Sequence, residues 1–152
     1  MGHIRLSEHI NAPIDHVWEI NASCERLPEW NVNIVEVKDC PGRLDRVGAR
    51  ATTVARIFGR KIEGTQETTK ADRPTTYALK FSGAGGLTGS VTITSTAAGG
   101  GTDGTAEVEY DLPPGLFAGV AEKLLGGFLE RDLRHSMDNF KALCEATIPA
   151  HV

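Results

Sequence analysis

The sequence lacks the features that mark a membrane protein or a disulfide-rich secreted domain. Its three cysteines, Cys24, Cys40 and Cys144, lie far apart, show no CxxC spacing and leave an odd one over for pairing, so we expect reduced thiols. No apolar run approaches the roughly 18 residues that a membrane span needs. Charged residues soon after Met1 interrupt any signal peptide. We therefore expect no transmembrane segment and a cytoplasmic location.

Basic residues are too few and too dispersed for a nucleic-acid-binding surface. The chain has 16 Lys and Arg against 20 Asp and Glu, a formal net charge of −4, which excludes nucleic acid as an expected partner. The histidines show no metal-ligand spacing, and the P-loop, HExxH, GxSxG and dinucleotide-binding motifs are all missing. We expect neither a metal nor another cofactor.

The chain of 152 residues has the length of a single domain, and most of it has the pattern of strands. A first strand at 3–11, with Ile4, Leu6 and Ile10 on one face, precedes two short helices at 14–22 and 25–30. Turns rich in Gly, Pro or Asp separate the later strands, which indicates an antiparallel meander. We expect these six strands at 32–37, 49–58, 61–70, 75–82, 87–96 and 105–112.

Alternation along the strands predicts a sheet with one apolar face and one wet face. On this register Tyr77, Leu79 and Phe81 share the apolar face, as do Val108, Tyr110 and Leu112. Gln66 shares the inward register of Ile62, Gly64 and Thr68. The apolar face must be covered, and the amphipathic element left to cover it is the C-terminal stretch.

The stretch 113–147 predicts one long helix, because Pro113 and Pro114 suit a first turn and helix-forming residues follow. Its apolar residues form two displaced stripes that meet at Gly126 and Gly127. One interpretation is that the first half roofs a cavity and the second half clamps the sheet, and the alternative is one helix with a slight bend. The stripes are Phe117, Val120, Ala121, Leu124 and Phe128, and then Leu129, Leu133, Met137, Phe140 and Cys144.

Four segments resemble the START-like superfamily, whose helix-grip fold holds a long C-terminal helix around a deep apolar cavity. Residues 10–18 (INAPIDHVW) look like its passage from first strand to first helix, and residues 27–30 (LPEW) resemble its second-helix signature. Residues 59–64 (GRKIEG) and 130–141 (ERDLRHSMDNFK) are similar to its polyketide cyclase/dehydrase and lipid transport branch. The resemblance covers nearly the whole chain. It implies an α+β fold, with a curved seven-stranded antiparallel sheet around the helix.

The resemblance also implies that the cavity binds a small hydrophobic ligand, such as a lipid, an isoprenoid quinone, or a polyketide or polycyclic aromatic. For Tyr77 and Tyr110 a hydrogen-bonded core role is the alternative to ligand contact, and for His135 the alternative is exposure to solvent. The residues expected to contact the ligand are Trp30, Gln66, Tyr77, Phe81, Val91, Tyr110, Phe117, Leu124, Phe128 and His135.

Two other functions stay open at this point. The branch is also similar to cyclases and dehydratases, in which a cavity Tyr or His would move protons on a bound carbonyl compound. Relatives often carry an acidic residue after the first helix, whereas this chain has Asn21-Ala22-Ser23, so a carboxylate role is not carried over. Alternatively, the loops near Phe117 contact a partner or, transiently, a membrane, and a homodimer is compatible with the sequence.

Overall fold

An antiparallel sheet of seven strands and a long helix make up most of the computed structural model, which describes residues 2–113, 115 and 122–149. The sheet order is β1-β7-β6-β5-β4-β3-β2, so the first strand lies beside the last. The predicted α+β helix-grip fold, with its curved sheet and two short helices after the first strand, is confirmed. The elements are β1 (Gly2–Ile10), α1 (Ile14–Ala22), a 3-10 turn (Cys24–Arg26), α2 (Leu27–Trp30), β2 (Ile34–Asp39), β3 (Arg50–Ile57), β4 (Arg60–Asp72), β5 (Thr76–Gly83), β6 (Thr88–Ala98), β7 (Gly101–Asp111) and α3 (Glu122–Ala146).

The last strand is longer than the sequence predicts. It begins at Gly101 instead of residue 105, because the glycine-rich start of β7 pairs with both β1 and β6. The expectation treated these glycines as part of a turn. Glycine is a weak β-former, but strands β1 and β6, on the two sides of β7, supply the hydrogen bonds that hold these glycines in an extended conformation. Only Gly99 and Gly100, both with positive φ, make the turn itself.

The two faces of the sheet have the predicted character. On β7 the side chains of Glu107, Glu109 and Asp111 are exposed, whereas those between them face inward. On β5 Tyr77 is buried and Lys80 is exposed. Because side chains alternate along a strand, the apolar sets of all the strands meet on one face. That face is the one covered by α3.

The N-terminal helices close one end of the sheet. The inner face of α1 buries Val17 and Ile20 in a cluster with Ile10 of β1 and Cys144 of α3. Trp18, on the same helix, packs with Leu27 and Tyr77 in a second cluster. The Trp18 ring meets the Tyr77 ring edge to face, with 6.0 Å between ring centroids. These contacts fix α1 and α2 against both the sheet and α3.

The start of the long helix corrects the sequence prediction. Pro113 is not helical, and Gly115 lies in a turn with a φ of 97°, a left-handed conformation that a helix cannot contain. Residues 114 and 116–121 lie outside the described residues, and they include Phe117, Val120 and Ala121 of the expected first stripe. The part of the helix that the structure describes begins at Glu122.

The inward face of α3 does not rotate at the glycine pair. Leu125 is 5% exposed and leads into Leu129 and Leu133 at four-residue spacing, so one stripe continues past Gly126 and Gly127. Leu124 is 56% exposed, because it lies about 100° around the helix from Leu125. For the described part of the helix, the interpretation of two displaced stripes is therefore wrong.

The expectation of three reduced thiols is also corrected. Cys24, in the 3-10 turn, and Cys40, just after β2, form a disulfide with 6.0 Å between their Cα atoms. The chain returns along β2 to the start of α2, and this brings together two cysteines that are 16 residues apart. Cys144 is a free, buried thiol, and burial raises its pKa to about 12. None of the described helices is long and apolar enough to cross a membrane.

Candidate functional site

A cavity of about 300 Å³ lies between the inner face of the sheet and α3. It exists because several strands present small side chains where larger ones would fill the space, for example Ala55 on β3 and Ala106 on β7. Ser136 is the corresponding small residue on α3. Interiors normally pack without voids of this size, so the opening is a feature of the sequence pattern.

The walls of the cavity are mainly apolar. One end is formed by a buried cluster of Ile57, Ile62 and Leu87, against which Phe81, Leu112 and Leu129 pack. The β3–β4 and β5–β6 turns bring these side chains together at the same end of the sheet. Val91 and Ile93 of β6 continue the apolar surface toward the middle of the sheet.

Two aromatic rings of the wall lie over glycines of neighbouring strands. A Cβ atom on Gly89 would overlap the ring of Phe81, and one on Gly2 would overlap the ring of Tyr110. The Tyr110 hydroxyl also reaches α3, where a Cβ on Gly126 would lie 3.2 Å from it. The glycines therefore give the rings room to lie flat against the sheet, and both rings line the cavity.

The hydroxyl of Tyr77 is engaged in a hydrogen bond within the protein. Thr68 Oγ1 donates its proton to the carbonyl oxygen of Leu44, so the 3.1 Å hydrogen bond between Tyr77 and Thr68 must have Tyr77 as its donor. Burial raises the pKa of the Tyr77 hydroxyl above its ordinary value, and the bond to Thr68 only partly opposes this. Tyr77 contributes its ring to the cavity wall, and its proton is committed to Thr68.

Trp30 lies between α3 and the cavity. Its ring meets the ring of Phe140 edge to face at 5.0 Å, and Asn139 Nδ2 donates to its carbonyl oxygen at 3.3 Å. The indole Nε1 is buried and has no hydrogen-bond partner in the part of the chain that the structure describes. A buried donor without a partner lowers the free energy of unfolding by about 1–3 kcal/mol. Both Trp30 and Gln66, which is half-buried on β4, line the cavity.

Three of the expected contact residues lie elsewhere among the described residues. Leu124 is exposed, and His135 is exposed on α3 away from the cavity wall. Phe128 packs edge to face against Phe58 at 5.0 Å, with the Arg131 guanidinium 4.8 Å from the centre of its ring. Phe117 is outside the described residues. The structure thus brings six of the ten residues to one cavity: Trp30, Gln66, Tyr77, Phe81, Val91 and Tyr110.

Sequence reasoning missed Glu8. It lies on the inner face of β1 between Leu6 and Ile10, and it lines the cavity. Desolvation raises the pKa of its carboxyl, and the neighbouring Asp138 carboxylate raises it further, while Lys141 opposes the shift. The signal was present in the alternation of β1, which places residue 8 on the same face as residues 4, 6 and 10. A carboxyl on an otherwise apolar strand face is a candidate functional group.

The described residues provide no set of side chains that could hold a metal ion. Within residues 2–113, 115 and 122–149, no three His, Cys, Asp or Glu side chains are grouped so that they could hold a metal ion. What the cavity offers is an apolar surface with a few hydroxyl, amide and carboxyl groups. Such a surface suits the enclosure of an organic ligand.

Several solved structures share this fold. A conserved protein from Geobacillus kaustophilus superposes with a TM-score of 0.79 at 16% identity, covering 99% of this chain and 100% of that one. A protein from Thermus thermophilus has a TM-score of 0.73 at 20% identity, with coverages of 95% and 98%. For a Chromobacterium violaceum protein the values are 0.72, 18%, 95% and 99%. At these identities the likeness concerns the fold alone.

The family can be assigned from the sequence match. No curated protein sequence matches the chain significantly. Residues 1–145, however, match the model of the family described as polyketide cyclase / dehydrase and lipid transport. This confirms the resemblance on which the fold prediction was based. Because the match spans nearly the whole chain and the fold agrees with it, the protein belongs to the polyketide cyclase / dehydrase and lipid transport family.

Proposed function

We propose that the protein binds a small, largely apolar ligand in the cavity between the sheet and α3. The observation that carries this proposal is the cavity itself, about 300 Å³ of space with mainly apolar walls inside an otherwise packed domain. This volume is at the lower end of the range for small-molecule sites. It favours a compact ring system, such as a quinone ring or a polycyclic aromatic, over a lipid with two acyl chains.

Burial of the ligand provides the driving force. Each 100 Å² of apolar ligand surface removed from water contributes about 2.5 kcal/mol, from which the cost of immobilising the ligand is subtracted. We propose that Trp30, Tyr77, Phe81, Val91 and Tyr110 supply most of the apolar contact, and that Gln66 supplies a polar one. The family description, which includes lipid transport, supports a carrier role.

A titration with the neutral fluorescent probe N-phenyl-1-naphthylamine tests this proposal. Ala55→Leu adds bulk to the cavity wall, while Ala78→Leu makes the same change on the outer face of β5. We expect saturable binding by the unmodified protein, about tenfold weaker binding by Ala55→Leu, and a change below about twofold for Ala78→Leu. Absence of saturable binding, or equal affinity in both variants, would refute the proposal.

One observation favours a second candidate, an enzyme of the cyclase or dehydratase type. Glu8 places a carboxyl of raised pKa on the cavity wall, where it could hold and transfer a proton to a bound carbonyl compound. The Tyr and His set expected from sequence supports this role less, since the Tyr77 proton is committed and His135 is exposed. Native mass spectrometry of the protein purified from its own source, followed by incubation, separates the two functions. A ligand recovered intact indicates a carrier, and a converted one indicates an enzyme.

A cytoplasmic location stays a proposal. The Cys24–Cys40 disulfide weighs against it, because disulfides persist mainly in oxidising compartments. Cell fractionation under thiol-blocking conditions tests both points together. A cytoplasmic protein with Cys24 and Cys40 both reduced would support the proposed location, and an oxidised protein outside the cytoplasm would refute it.

A further inference from the structure

Two polar side chains on the inner face of the sheet keep a hydrogen-bonding capacity that the protein does not use. Thr53 on β3 is only 6% exposed and lines the cavity. Gln66, on the adjacent strand β4, lines it as well. Among the described residues, no hydrogen bond is found for the Thr53 hydroxyl or the Gln66 amide, and neither group is one of the fully buried atoms that lack a partner. A ligand that fills the cavity displaces solvent from these groups and must replace the lost bonds or lose affinity.

The strand register brings these two side chains close together. Across β3 and β4, Gln66 lies opposite Ala51 and Thr53 lies opposite Gly64. Thr53 and Gln66 are therefore diagonal neighbours on the same face, about 7–8 Å apart along the sheet. Gly64, opposite Thr53, carries no side chain, and the Ser82 carbonyl oxygen of β5 lies 2.6 Å from where its Cβ would be. One polar group of a ligand placed between Thr53 and Gln66 lies within reach of both side chains.

We propose that Thr53 and Gln66 form a hydrogen-bonding subsite that recognises a neutral carbonyl or hydroxyl group of an otherwise apolar ligand. The carbon skeleton then lies along the strands toward Ile57 and Ile62, four residues from Thr53 and Gln66 and next to the turn that joins β3 and β4. The inference rests on the proposed function and adds to it the polarity and the orientation of the ligand.

The charges around the cavity exclude an ionised group at this subsite. No Lys, Arg or His side chain is among the described residues that line the cavity. Its one carboxylate is that of Glu8, on β1, and three strands of the sheet separate β1 from β4. A charged ligand group next to Thr53 would lose its hydration without gaining a counter-charge. A ketone, quinone or phenol meets no such penalty.

Several other polar groups on the wall are already engaged or lie apart from this pair. Ser136 Oγ accepts a hydrogen bond from Val32 N at 3.0 Å, and Asn31 Oδ1 accepts one from Asn33 N at 3.0 Å. Asn21 and Ser95 also border a smaller adjoining cavity of about 20 Å³, which is room for a single water molecule. Thr53 and Gln66 are thus neighbours on one sheet face that the main cavity leaves available to a ligand, and the unpartnered Trp30 Nε1, on α2, is a separate donor.

Fluorene and 9-fluorenone provide the test, because they share one ring skeleton and differ by a ketone oxygen. Their dissociation constants are measured by displacement of N-phenyl-1-naphthylamine from the unmodified protein, from Thr53→Val, from Gln66→Met and from the double variant. The readout is the ratio of the two constants, in which general changes of the cavity cancel. Thr52→Val is the matched control, since residue 52 is the next one along β3 and points to the opposite face.

We expect the double variant to lose about tenfold of the relative preference for fluorenone, while its affinity for fluorene changes by less than about twofold. Each single variant should lose part of the preference, and Thr52→Val none. If fluorene and the probe bind but the ratio is the same in every variant, the subsite is refuted and the proposed function stands. If neither hydrocarbon nor probe binds the unmodified protein, both the subsite and the proposed function are refuted.

Discussion

Tyr77 donates its hydroxyl proton to Thr68, 3.1 Å away, and Thr68 donates its own proton to the carbonyl oxygen of Leu44. The chain of bonds ties β5 to β4 and to the loop that follows β2. It also takes Tyr77 out of the set of groups that could act on a ligand, although its ring lines the cavity. The position of a tyrosine on an inward register thus does not establish a chemical role for its hydroxyl.

Substitutions in this chain of bonds should have unequal effects on stability. Tyr77→Phe removes one donor and leaves the Thr68 bond to Leu44 intact, so we expect a loss of about 1 kcal/mol in the free energy of unfolding. Thr68→Val leaves both the Leu44 carbonyl and the Tyr77 hydroxyl without a partner, and should cost about 2–3 kcal/mol. Urea denaturation measures both values. Affinity for the apolar probe should stay within about twofold in Tyr77→Phe, and a tenfold loss would show that the hydroxyl contacts the ligand.

Alanine at the two adjacent glycines of α3 should separate helix propensity from packing. At Gly127 an added Cβ meets nothing within 4 Å, so Gly127→Ala should raise the free energy of unfolding by about 1 kcal/mol. At Gly126 the Cβ would lie 3.2 Å from the Tyr110 hydroxyl, which offsets that gain and shifts a ring of the cavity wall. We expect only Gly126→Ala to change probe affinity. Equal stabilisation with unchanged affinity in both variants would contradict the close contact.

The Glu8 carboxyl should make stability fall as pH rises. Desolvation and Asp138 raise its pKa in the folded protein above the ordinary 4.5, so the folded state holds more protons than the unfolded state between these two values. The stabilisation by the neutral carboxyl is complete below pH 4.5 and is lost as pH rises through the folded pKa. Glu8→Gln keeps a neutral side chain at every pH, so its gain in melting temperature over the unmodified protein should be larger at pH 7 than at pH 4.

The control for Glu8→Gln is Glu109→Gln, on the exposed face of β7. Thermal melts of both variants from pH 4 to pH 7.5 give the comparison. A gain that does not depend on pH, or one of the same size in the control, would show that Glu8 does not carry the effect. Asp138, Lys141 and Glu145 are the charged neighbours whose titration enters the same profile.

The disulfide should be detectable by counting reactive thiols and by its contribution to the free energy of unfolding. In denaturant without reductant we expect one reactive thiol, that of Cys144, and three after reduction. In the native protein Cys144 should react slowly, because it is buried and its pKa is about 12. Cys24 and Cys40 are 16 residues apart, and a loop of that length corresponds to about 3 kcal/mol of stabilisation. Three reactive thiols without reductant would contradict the Cys24–Cys40 bond.

Part of the candidate site follows from the order of the residues. Alternation places Tyr77, Phe81 and Tyr110 on the inner face, and the period of two would have placed Glu8 there as well had polar residues been followed as closely as apolar ones. The missed carboxyl was therefore predictable from β1. By contrast, the inward stripe of α3 was assigned to Leu124 instead of Leu125, because a pattern of apolar residues does not say which of two adjacent leucines meets the sheet.

The sequence by itself determined the order of strands and helices and the apolar face of the sheet, because these depend on the spacing of residue types along the chain. Its resemblance to the START-like superfamily also identified the family. The tertiary structure alone decided which cysteines meet, that Tyr77 donates to Thr68, and that Thr53 and Gln66 are diagonal neighbours on the inner face of the sheet. Each of these depends on strand register or on the path of a loop, and such contacts join residues whose separation along the chain carries no information about their distance in space.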